Sequence, residues 1–431
     1  MSSDADLLRR VYGAALGGVR ARLDVEVPRA LADVPDLVGP EGQVVLIAFG
    51  KAARPMATRA LEALGSVSDR VRGLLVPPND DDAPLAPLEV VAAGHPLPDE
   101  QSFRAAQRAL ALARDAGPDD VVVFLVSGGG SALLELPIDP DVSLGAWRAF
   151  QQALVASGAS IDRVNAVRMQ LSAVKGGRLG AAAGGARDVR TLYVSDVPGE
   201  PETIASGPTA RCGHLLREPL LAQLRALDVL DALPERLRAR ALAGEVPPLP
   251  RDDHVPGDMV RIADEGDCRR RAAEVLAAEG VVVDADLDID DLPHELAATR
   301  ALQRLDELGR AHPDVAVAVV TTGELSVPLP ATVGVGGRNL HFALACVARI
   351  AGVGVTVLSG GTDGVDGNAP AAGAVVDGRT AARAGEAGLD LQAHLRGFDA
   401  YPALQRLGAT LEPGATGVNV RDLRVLLRRP G

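Results

Sequence analysis

Two lysines stand out, because they are the only ones in a chain whose 44 basic residues are otherwise arginine. Lys51 lies in VVLIAFGKAARPMA, a pattern that predicts a strand, a glycine turn and the start of a helix. A helix N-terminus offers unpaired N–H donors and the positive end of the helix dipole, which suit a phosphate group. A lysine there adds a compact charge, whereas the arginine fork needs more room. We predict that Lys51 is a catalytic, phosphate-binding residue, the alternative being an ordinary turn with its lysine facing solvent.

Three consecutive glycines between two serines form the second candidate for a phosphate site. The stretch VSGGGSALLELP spans residues 126–137 and joins an apolar run to a helical pattern. Because glycine has no Cβ atom, the backbone can approach a ligand closely and form an anion-binding nest. A tight turn explains one such glycine but not three, and a serine-hydrolase elbow would need G-x-S-x-G, which GGGSA lacks. We predict that nucleotide phosphates bind to Ser127, Gly128, Gly129, Gly130 and Ser131.

Three cationic residues lie in NAVRMQLSAVKGGRLG, which reads as a helix interrupted by two glycines. Lys175 and Arg178 are three positions apart and would share one helix face if the helix continued. Such cations suit the carboxylate of a small acidic substrate. We predict substrate-binding roles for Arg168, Lys175 and Arg178 without choosing among them. For Lys175, a structural contact is an equal alternative.

Two carboxylates follow another apolar run in VSDVPGEPETIASGPTA, at residues 194–210. Mg²⁺ prefers one or two carboxylates together with nucleotide oxygens, and Asp196 and Glu200 could supply them. An aspartate shortly before Pro-Gly is also common as the cap of a turn. We predict that Asp196 and Glu200 are metal ligands, with turn capping as the alternative.

The second half of the chain again combines glycines with charged residues. GVGGRNLHFALA, at residues 334–345, places Arg338 at the start of a helical pattern, and SGGTDGVDG places Asp363 in a glycine-rich loop after an apolar run. An arginine at a helix N-terminus suits a triphosphate, although a surface arginine is the common alternative. We predict that Arg338 and Asp363 are catalytic, with Asp363 orienting the loop or accepting the hydroxyl proton. Gly336 and Gly337 are predicted to bind nucleotide.

These candidates all lie next to apolar runs that alternate with helical patterns. The alternation predicts an α/β fold with mostly parallel sheets flanked by helices, whose ligands bind beyond the carboxyl ends of the strands. The predicted strands are 44–49, 71–76, 89–93, 121–126 and 191–195, followed by 259–263, 281–285, 315–320 and 353–358. The predicted helices are 52–64, 100–116, 143–157 and 168–184, followed by 266–279, 294–311 and 338–351. The segment 243–258 is rich in proline and aspartate and reads as a linker between domains at 1–242 and 259–431.

Composition argues against several classes of partner. The chain has 431 residues, a net charge of −13 and 2% aromatic residues. Its sequence contains no stretch in which basic residues alternate with aromatic ones. This argues against nucleic acid or an anionic membrane as a partner. The longest apolar run, 121–126, is too short to span a bilayer, and the charged N-terminal helix pattern does not read as a signal peptide. With three scattered cysteines, we expect a cytoplasmic protein with reduced thiols, and leave open whether it forms a homo-oligomer.

Eight motifs in their order resemble the glycerate 2-kinases, a MOFRL-type family that often carries the older label hydroxypyruvate reductase. They are AFGKAA, GHPLPDE, SGGGSALLELP, DRVNAVR, LSAVKGGRLG, VSDVPGE with IASGPT, VGGRN and SGGTDGVDG, and the resemblance extends over about residues 5–428. It implies a Rossmann-like first domain and a smaller MOFRL-type second domain around an inter-domain cleft. It also implies an enzyme that uses ATP and Mg²⁺ to phosphorylate D-glycerate at its 2-hydroxyl, giving 2-phosphoglycerate. The lysine of the family's first motif and the arginine of VGGRN are essential there, and they match Lys51 and Arg338.

The chain departs from the family pattern at several positions expected to line or support the site. Thr322 replaces a glycine, Leu340 and His341 replace a Gln-Glu pair, and Pro370 replaces an aspartate. These departures keep open a kinase for another small hydroxy acid and a non-catalytic metabolite-binding relative. An NAD(P)H-dependent hydroxypyruvate reductase is a weaker alternative, because no strand pattern leads into G-x-G-x-x-G with an acidic residue about 20 positions on.

Overall fold

A computed structural model describes residues 3–79, 81–197, 201–216, 218–327 and 333–430 of the chain. The chain divides into two compact units. The first unit is Leu23–Ile262, and the second unit combines Met1–Arg22 with Ala263–Gly431. The sequence-based division differs from this one, because it assigned the N-terminal residues to the first domain and set 243–258 apart as a linker.

Long-range hydrogen bonds explain both differences. The Tyr12 hydroxyl donates to the Gly361 carbonyl (2.6 Å), and Arg20 donates to the Thr416 carbonyl (2.7 Å), so the N-terminal helix is tied to the second unit. The segment 243–258 is tied to the first unit, because the Arg178 guanidinium donates to two consecutive carbonyls within it. Neither tie can be read from local sequence.

The first unit is built on a six-stranded sheet. Its strands are β1 (Val44–Phe49), β2 (Val71–Val76), β3 (Leu88–Val90), β4 (Val121–Val126), β5 (Asp188–Val194) and β6 (Asp258–Ala263). They lie in the order β3-β2-β1-β4-β5-β6, and the pairs β1–β2, β2–β3, β1–β4 and β4–β5 are parallel. Every residue of β1 and β4 is buried, which is why both read as uninterrupted apolar runs. This order is that of Rossmann-type sheets, which bind ligands at the switch point between β1 and β4.

Strand β6 corrects one prediction. The sequence assigned 259–263 to the second domain, but β6 lies at the edge of the first sheet, next to β5. Gly257, with φ +78°, lets the chain pass close to the backbone of Val189 in β5 just before β6 begins. Because β6 is a partly exposed edge strand, its side-chain pattern does not indicate which sheet it joins.

Helices flank this sheet. They are α2 (Val34–Leu37), α3 (Ala53–Ala63), α4 (Glu100–Arg114), α5 (Gly130–Leu133), α6 (Leu144–Ala156), α7 (Ile161–Leu171), α8 (Arg178–Ala182), α9 (Leu220–Ala226) and α10 (Glu235–Ala243). Helix α1 (Asp4–Ala30) precedes them and begins among the residues of the second unit. Short 3-10 helices cover Gly65–Arg70, Pro201–Ser206, Gly213–Leu215 and Asp252–His254. The helix predicted over 168–184 is in fact two pieces, α7 and α8. Gly176 and Gly177, with φ +59° and +81°, break it.

The second unit contains another six-stranded sheet. Its strands are β7 (Val282–Asp284), β8 (Val317–Thr322), β9 (Val355–Gly361), β10 (Gly373–Asp377), β11 (Thr410–Leu411) and β12 (Asp422–Arg428), in the order β11-β10-β9-β12-β8-β7. The pairings show that β7, β8, β9 and β11 point one way, while β10 and β12 point the other. Its helices are α11 (Glu265–Ala278), α12 (His294–Ala311), α13 (Arg338–Val347), α14 (Thr380–Glu386), α15 (Leu391–Arg396) and α16 (Ala400–Arg406). Both units thus confirm the predicted α/β class with helices flanking each sheet. The predicted parallel pairing holds in the first sheet, whereas in the second sheet only β7–β8 is parallel and the other four neighbouring pairs are antiparallel.

Strand β12 escaped prediction although it lies in the middle of the second sheet, antiparallel to β8 and β9. It carries Arg424, whose side chain is fully buried and donates to the Gly323 carbonyl (2.9 Å) and to Asp422 (3.0 Å). A buried, paired arginine inside a strand makes the sequence look like a surface segment. Across the described residues, the helices are too short or too polar to cross a membrane.

Candidate active site

Two turns are joined at the carboxyl ends of β1 and β4. The Lys51 N–H donates to the Gly128 carbonyl (2.9 Å), and the Ala52 N–H donates to Ser127 Oγ (3.0 Å). The Ser127 N–H donates in turn to the Phe49 carbonyl (3.1 Å). The lysine turn and residues 127–131, here called the glycine loop, therefore form one hydrogen-bonded assembly at the switch point of the sheet.

Gly50 permits this close approach. Its φ is +119°, and a Cβ atom at this position would collide with both the hydroxyl and the backbone of Ser127. Only glycine accommodates both the backbone angle and the contact. Gly50 is therefore required for the lysine turn and the glycine loop to lie in contact.

Three backbone N–H groups of the glycine loop have no acceptor among the described residues, namely those of Gly128, Gly129 and Ser131. Gly128 is buried, and buried backbone donors are nearly always paired. Gly129 has φ +82°, and a left-handed residue in such a turn is typical of anion-binding nests. The loop therefore offers donors that fit the oxygens of an anionic ligand.

The side chains of Lys51 and His95 lie against Gly129. A Cβ atom at Gly129 would stand 3.2 Å from Lys51 Cγ and 3.2 Å from His95 Cδ2. The stem of Lys51 thus follows the loop whose N–H groups are unpaired, and Lys51 itself is half-buried. The stem of a cationic side chain and unpaired donors thus lie side by side, a combination that suits a phosphate.

A cavity of about 490 Å³ opens beside the glycine loop and is bordered by Gly129, Ser131, His95 and Arg168. Arg168 Nε donates to Gln151 Oε1 (2.9 Å), and no described residue accepts from its two terminal nitrogens. Burial lowers the pKa of Arg168, and the negative charge of Glu135 opposes that shift. Of the three predicted substrate-binding cations, Arg168 is the one that the structure brings to this cavity.

Lys175 has a different role from the substrate contact predicted for it. Its side chain is 1% exposed, and Nζ donates to Glu135 Oε2 (2.7 Å), the Ser131 carbonyl (2.9 Å) and the Leu134 carbonyl (3.4 Å). Burial lowers the pKa of Lys175, and Glu135 opposes that shift. With three acceptors engaged, the ammonium fastens the end of the glycine loop rather than binding substrate. A structural contact, the alternative given for Lys175 in the sequence analysis, is therefore the better interpretation.

Arg178 likewise binds protein rather than substrate. Its terminal nitrogens donate to the carbonyls of Pro247 (2.8 Å) and Pro248 (3.1 Å). Burial lowers the pKa of this guanidinium. Both terminal nitrogens hold the proline-rich segment, so the predicted substrate contact is not supported.

Two residues of the glycine loop that were predicted to bind phosphate, Ser127 and Gly130, instead hold the loop in place. The Ser127 side chain is fully buried and its Oγ caps the Ala52 N–H. Gly130 is packed so tightly that a Cβ atom would stand 2.8 Å from Ala205 Cβ and 3.0 Å from Phe49 Cδ2. Gly128, Gly129 and Ser131 stay predicted nucleotide ligands.

Ser131 is also linked to a strained turn. Its Oγ lies 2.9 Å from Ser206 Oγ, which donates to Asn165 Oδ1 (3.2 Å). Ser206 and Ala205 have φ +62° and +52°, a left-handed conformation that costs non-glycine residues about 1–2 kcal/mol each. Such strain is concentrated at functional sites, and it supports a role for this turn in orienting Ser131.

The metal ligands stay predictions. Asp196 is half-buried in the turn after β5, and Glu200 lies outside the described residues. Within the described ranges, no group of three or more histidine, cysteine, aspartate or glutamate side chains could hold a metal ion. A magnesium ion that takes one carboxylate and several ligand oxygens does not need such a group.

The second unit contains Arg338 in a network of carboxylates. Its Nε donates to Asp422 Oδ2 (2.6 Å) and its Nη2 to Glu324 Oε1 (2.7 Å). Burial acts to lower the pKa of Arg338, but the charges of Asp422 and Glu324 outweigh it and hold the pKa above its ordinary value. The side chain is 34% exposed, so a charged guanidinium held by two carboxylates reaches the protein surface. The catalytic role predicted for Arg338 stays a prediction.

The predicted nucleotide contacts of Gly336 and Gly337 are not supported. Asp366 already occupies the start of α13, since its carboxylate accepts from the N–H groups of Asn339 (3.1 Å) and Leu340 (2.8 Å). A Cβ atom at Gly337 would collide with Asp366, which explains that glycine as a packing requirement. The helix N-terminus is therefore capped by the protein itself.

Asp363 follows β9 in a turn, where its Oδ1 accepts from the Val365 N–H (3.1 Å). It is half-buried. The catalytic role predicted for Asp363 stays a prediction.

Two departures from the family pattern lie in the core of the second unit. Leu340 is fully buried, and His341 is 2% exposed and stacks on Phe398 with ring centroids 4.9 Å apart. Burial lowers the pKa of His341. Both positions therefore belong to the packed interior of this unit.

Sequence reasoning missed four residues around the cavity and the glycine loop, namely His95, Glu135, Gln151 and Ser206. His95 and Ser206 belong to GHPLPDE and IASGPT, so those motifs were the available signal. Glu135 belongs to SGGGSALLELP and Gln151 to the helical pattern at 143–157, but only the folded chain shows their partners.

Two family models match the chain. The model of a domain of unknown function, DUF4147, matches residues 9–241, and the model of the MOFRL family matches residues 317–422. Together they cover the glycine loop and the lysine turn as well as the carboxylate network around Arg338.

Curated relatives and a solved structure extend this match over nearly the whole chain. A protein of Agrobacterium vitis named "Putative hydroxypyruvate reductase" is 36% identical over 99% of this chain and 94% of its own length. D-glycerate 2-kinase of Thermotoga maritima is 35% identical over 88% of this chain and 89% of its own. The crystal structure of glycerate kinase from Thermotoga maritima superimposes with a TM-score of 0.80 and 32% identity, over 98% of this chain and 99% of that one. The chain therefore belongs to the glycerate kinase family of phosphotransferases.

Proposed function

We propose that this protein is an ATP- and Mg²⁺-dependent kinase that phosphorylates the 2-hydroxyl of D-glycerate, giving 2-phosphoglycerate. The observation that supports this most is the glycine loop, where three backbone N–H groups lack an acceptor among the described residues and the stem of Lys51 lies alongside. Membership of the glycerate kinase family supports the same reaction.

Phosphoryl transfer depends mainly on positioning and on neutralising charge, with little covalent help from the protein. In this proposal Gly128, Gly129 and Ser131 donate hydrogen bonds to nucleotide phosphate oxygens. Lys51 places its ammonium on the transferring group, where negative charge is concentrated. A compact ammonium suits this position, because it acts as a point charge with three donors, which a planar guanidinium does not reproduce.

The acceptor acid is proposed to bind through Arg168, whose terminal nitrogens face no described acceptor and whose side chain borders the cavity next to Ser131. A guanidinium binds a carboxylate with two parallel hydrogen bonds, which fixes orientation as well as charge. This would present the 2-hydroxyl, one carbon away, to the phosphoryl group.

Asp196 is proposed as a magnesium ligand. The ion, when bound there, would supply positive charge that offsets the negative charge developing during transfer. Arg338 is proposed as a second catalytic cation and Asp363 as the group that orients its loop or accepts the hydroxyl proton. We expect the protein to act as a cytoplasmic enzyme.

A nicotinamide-dependent reduction is disfavoured by the turn after β1. That turn reads FGKAA and lacks the G-x-G-x-x-G glycines that let a dinucleotide pyrophosphate approach. No NADH oxidation with hydroxypyruvate is therefore expected.

The test is an ADP-release assay with D-glycerate, L-glycerate, tartronate and hydroxypyruvate as acceptors, each against an acceptor-free control. D-glycerate should stimulate ADP release most. Preferred turnover of another of these acids would indicate a kinase for a different hydroxy acid. Binding without turnover would indicate a metabolite-binding relative.

A further inference from the structure

The cavity beside the glycine loop contains a buried amide whose donor is unused. Gln151 borders the cavity, is 5% exposed, and accepts from Arg168 Nε through Oε1. Its Nε2 is buried and has no hydrogen-bond partner in the described part of the chain. A buried donor without a partner is destabilising, and a ligand oxygen that accepts its hydrogen bond would remove that cost.

The orientation of this amide follows from its neighbour. Arginine has donors only, so the oxygen of Gln151 must face Arg168 Nε and the NH₂ group must point elsewhere. The same hydrogen bond fixes the plane of the guanidinium. Gln151 therefore sets the direction of both terminal nitrogens of Arg168.

We propose that Gln151 determines acceptor specificity: it positions Arg168 and donates its own Nε2–H to the acceptor, selecting a 2-hydroxycarboxylate. This inference rests on the proposed function and names a residue that nothing else assigns to the reaction. Arg168 and Gln151 together present N–H donors that have no acceptor among the described residues, a set that fits a carboxylate with an adjacent hydroxyl oxygen.

The other charged groups of the cavity wall are compatible with an anionic acceptor. The carboxylate of Glu135 is neutralised by the Lys175 ammonium 2.7 Å away, and its other oxygen accepts from Ser172 Oγ (2.7 Å). His95 is exposed at the mouth. Arg168 is therefore the charge that an entering carboxylate meets.

The test compares Gln151→Met and Gln151→Glu with Gln170→Met as the matched control. Gln170 is two residues from Arg168 on α7, and among the described residues its Nε2 donates to the Ala166 carbonyl of the same helix alone. Gln151→Met removes both hydrogen bonds. Gln151→Glu keeps the acceptor for Arg168 but replaces the donor with a negative charge, so it still tests the proposal if the Met variant folds poorly.

Both Gln151 variants should raise KM for D-glycerate about 10-fold or more, as expected for a lost hydrogen bond to a charged group. The value of kcat should change less than about 3-fold and KM for ATP should stay unchanged, whereas Gln170→Met should match the wild type. A lower kcat at constant glycerate KM, or equal shifts in the control, would overturn the proposal.

Calorimetric titration with D-glycerate, without ATP, separates this inference from the proposed function. If glycerate binding depends on Gln151 but no ADP is released, the proposed kinase activity is rejected and the specificity role of Gln151 is retained. Glycerate-dependent ADP release with a KM indifferent to Gln151 would keep the kinase and reject the specificity residue. Absence of glycerate binding in the wild type would also reject the specificity role proposed for Gln151.

Discussion

Lys175 Nζ lies 2.7 Å from Glu135 Oε2, and both side chains are almost completely buried. The same ammonium donates to the carbonyls of Ser131 and Leu134, at the end of the glycine loop. Three acceptors around one nitrogen suit a compact ammonium but not a planar guanidinium. This explains why one of the two lysines has been kept in a chain that otherwise uses arginine.

We predict that Lys175→Met destabilises the fold by about 3–5 kcal/mol, because it leaves the Glu135 carboxylate buried without a counter-charge. Urea unfolding measures this loss. The double variant Lys175→Met/Glu135→Gln removes the stranded charge and keeps the acceptor for Ser172, so it should be more stable than the single variant. If the two are equally unstable, the buried charge is not the cause.

The other lysine should behave in the opposite way. Lys51→Ala should lower turnover by about 10²–10³, by analogy with the loss of one preorganised donor to a developing charge. The unfolding free energy should change by less than about 0.5 kcal/mol, as for a residue outside the core. Steady-state kinetics and urea unfolding on the same preparations test both parts.

Lys51→Arg should be nearly as harmful to turnover as Lys51→Ala, because a planar guanidinium cannot place the same compact point charge on the transferring group. An arginine variant with close to normal turnover would contradict our explanation of this lysine.

Gly129→Ala should damage both stability and turnover. With φ +82° at this position, an alanine costs about 1–2 kcal/mol. Its methyl group would also press on the Lys51 stem and the His95 ring at 3.2 Å, so we expect at least a tenfold loss of turnover as measured by ADP release.

The matched control for this change is Gly13→Ala. Gly13 is exposed in the interior of α1, and no atom lies within 4 Å of where its Cβ would be. Alanine there should stabilise the protein by about 0.5–1 kcal/mol and leave turnover unchanged. Equal effects of the two substitutions would mean that the glycine loop has no special conformational requirement.

Asp366 should make stability depend on pH. Burial, reinforced by the charge of Asp422, raises its pKa to about 7 from an ordinary value of 3.8. Between these pKa values the folded state holds the proton and the unfolded state does not, so the contribution of Asp366 is present below about pH 4 and is lost as pH rises to about 7. The free energy of unfolding should fall across this window by at most about 1.4 kcal/mol per pH unit.

Asp366→Asn removes this titration. The amide cannot accept from the Leu340 N–H with its nitrogen, so the variant should lose about 1 kcal/mol at low pH. Urea unfolding at several pH values should give a flatter curve between pH 4 and 7 than for the wild type. An unchanged slope would show that another group titrates there.

The parts of the fold that sequence predicted well are those with a local cause. Strands β1 and β4 are buried on both faces, so their apolar runs are unambiguous, and the lysine turn and the glycine loop follow directly from where these strands end. The connection between the two turns was not predictable, because the hydrogen bond from Ala52 to Ser127 joins residues 75 positions apart.

The errors have long-range causes. The rarity of Lys175 signalled importance, but its partner Glu135 is 40 residues away, so a structural role could not be told from a substrate contact. The error at Gly337 also has a long-range cause, because Asp366 from a distant loop caps the start of α13 next to this glycine. Strand β12 was missed because Arg424 and Asp422 neutralise each other inside the core.

The most direct test of the central claim is phosphorus NMR of the product formed by purified protein, Mg·ATP and D-glycerate, with Lys51→Arg in parallel. We expect 2-phosphoglycerate and stoichiometric ADP from the wild type and at least a hundredfold slower formation by the variant. Formation of 3-phosphoglycerate, or no ADP above the acceptor-free rate, would contradict the proposed reaction.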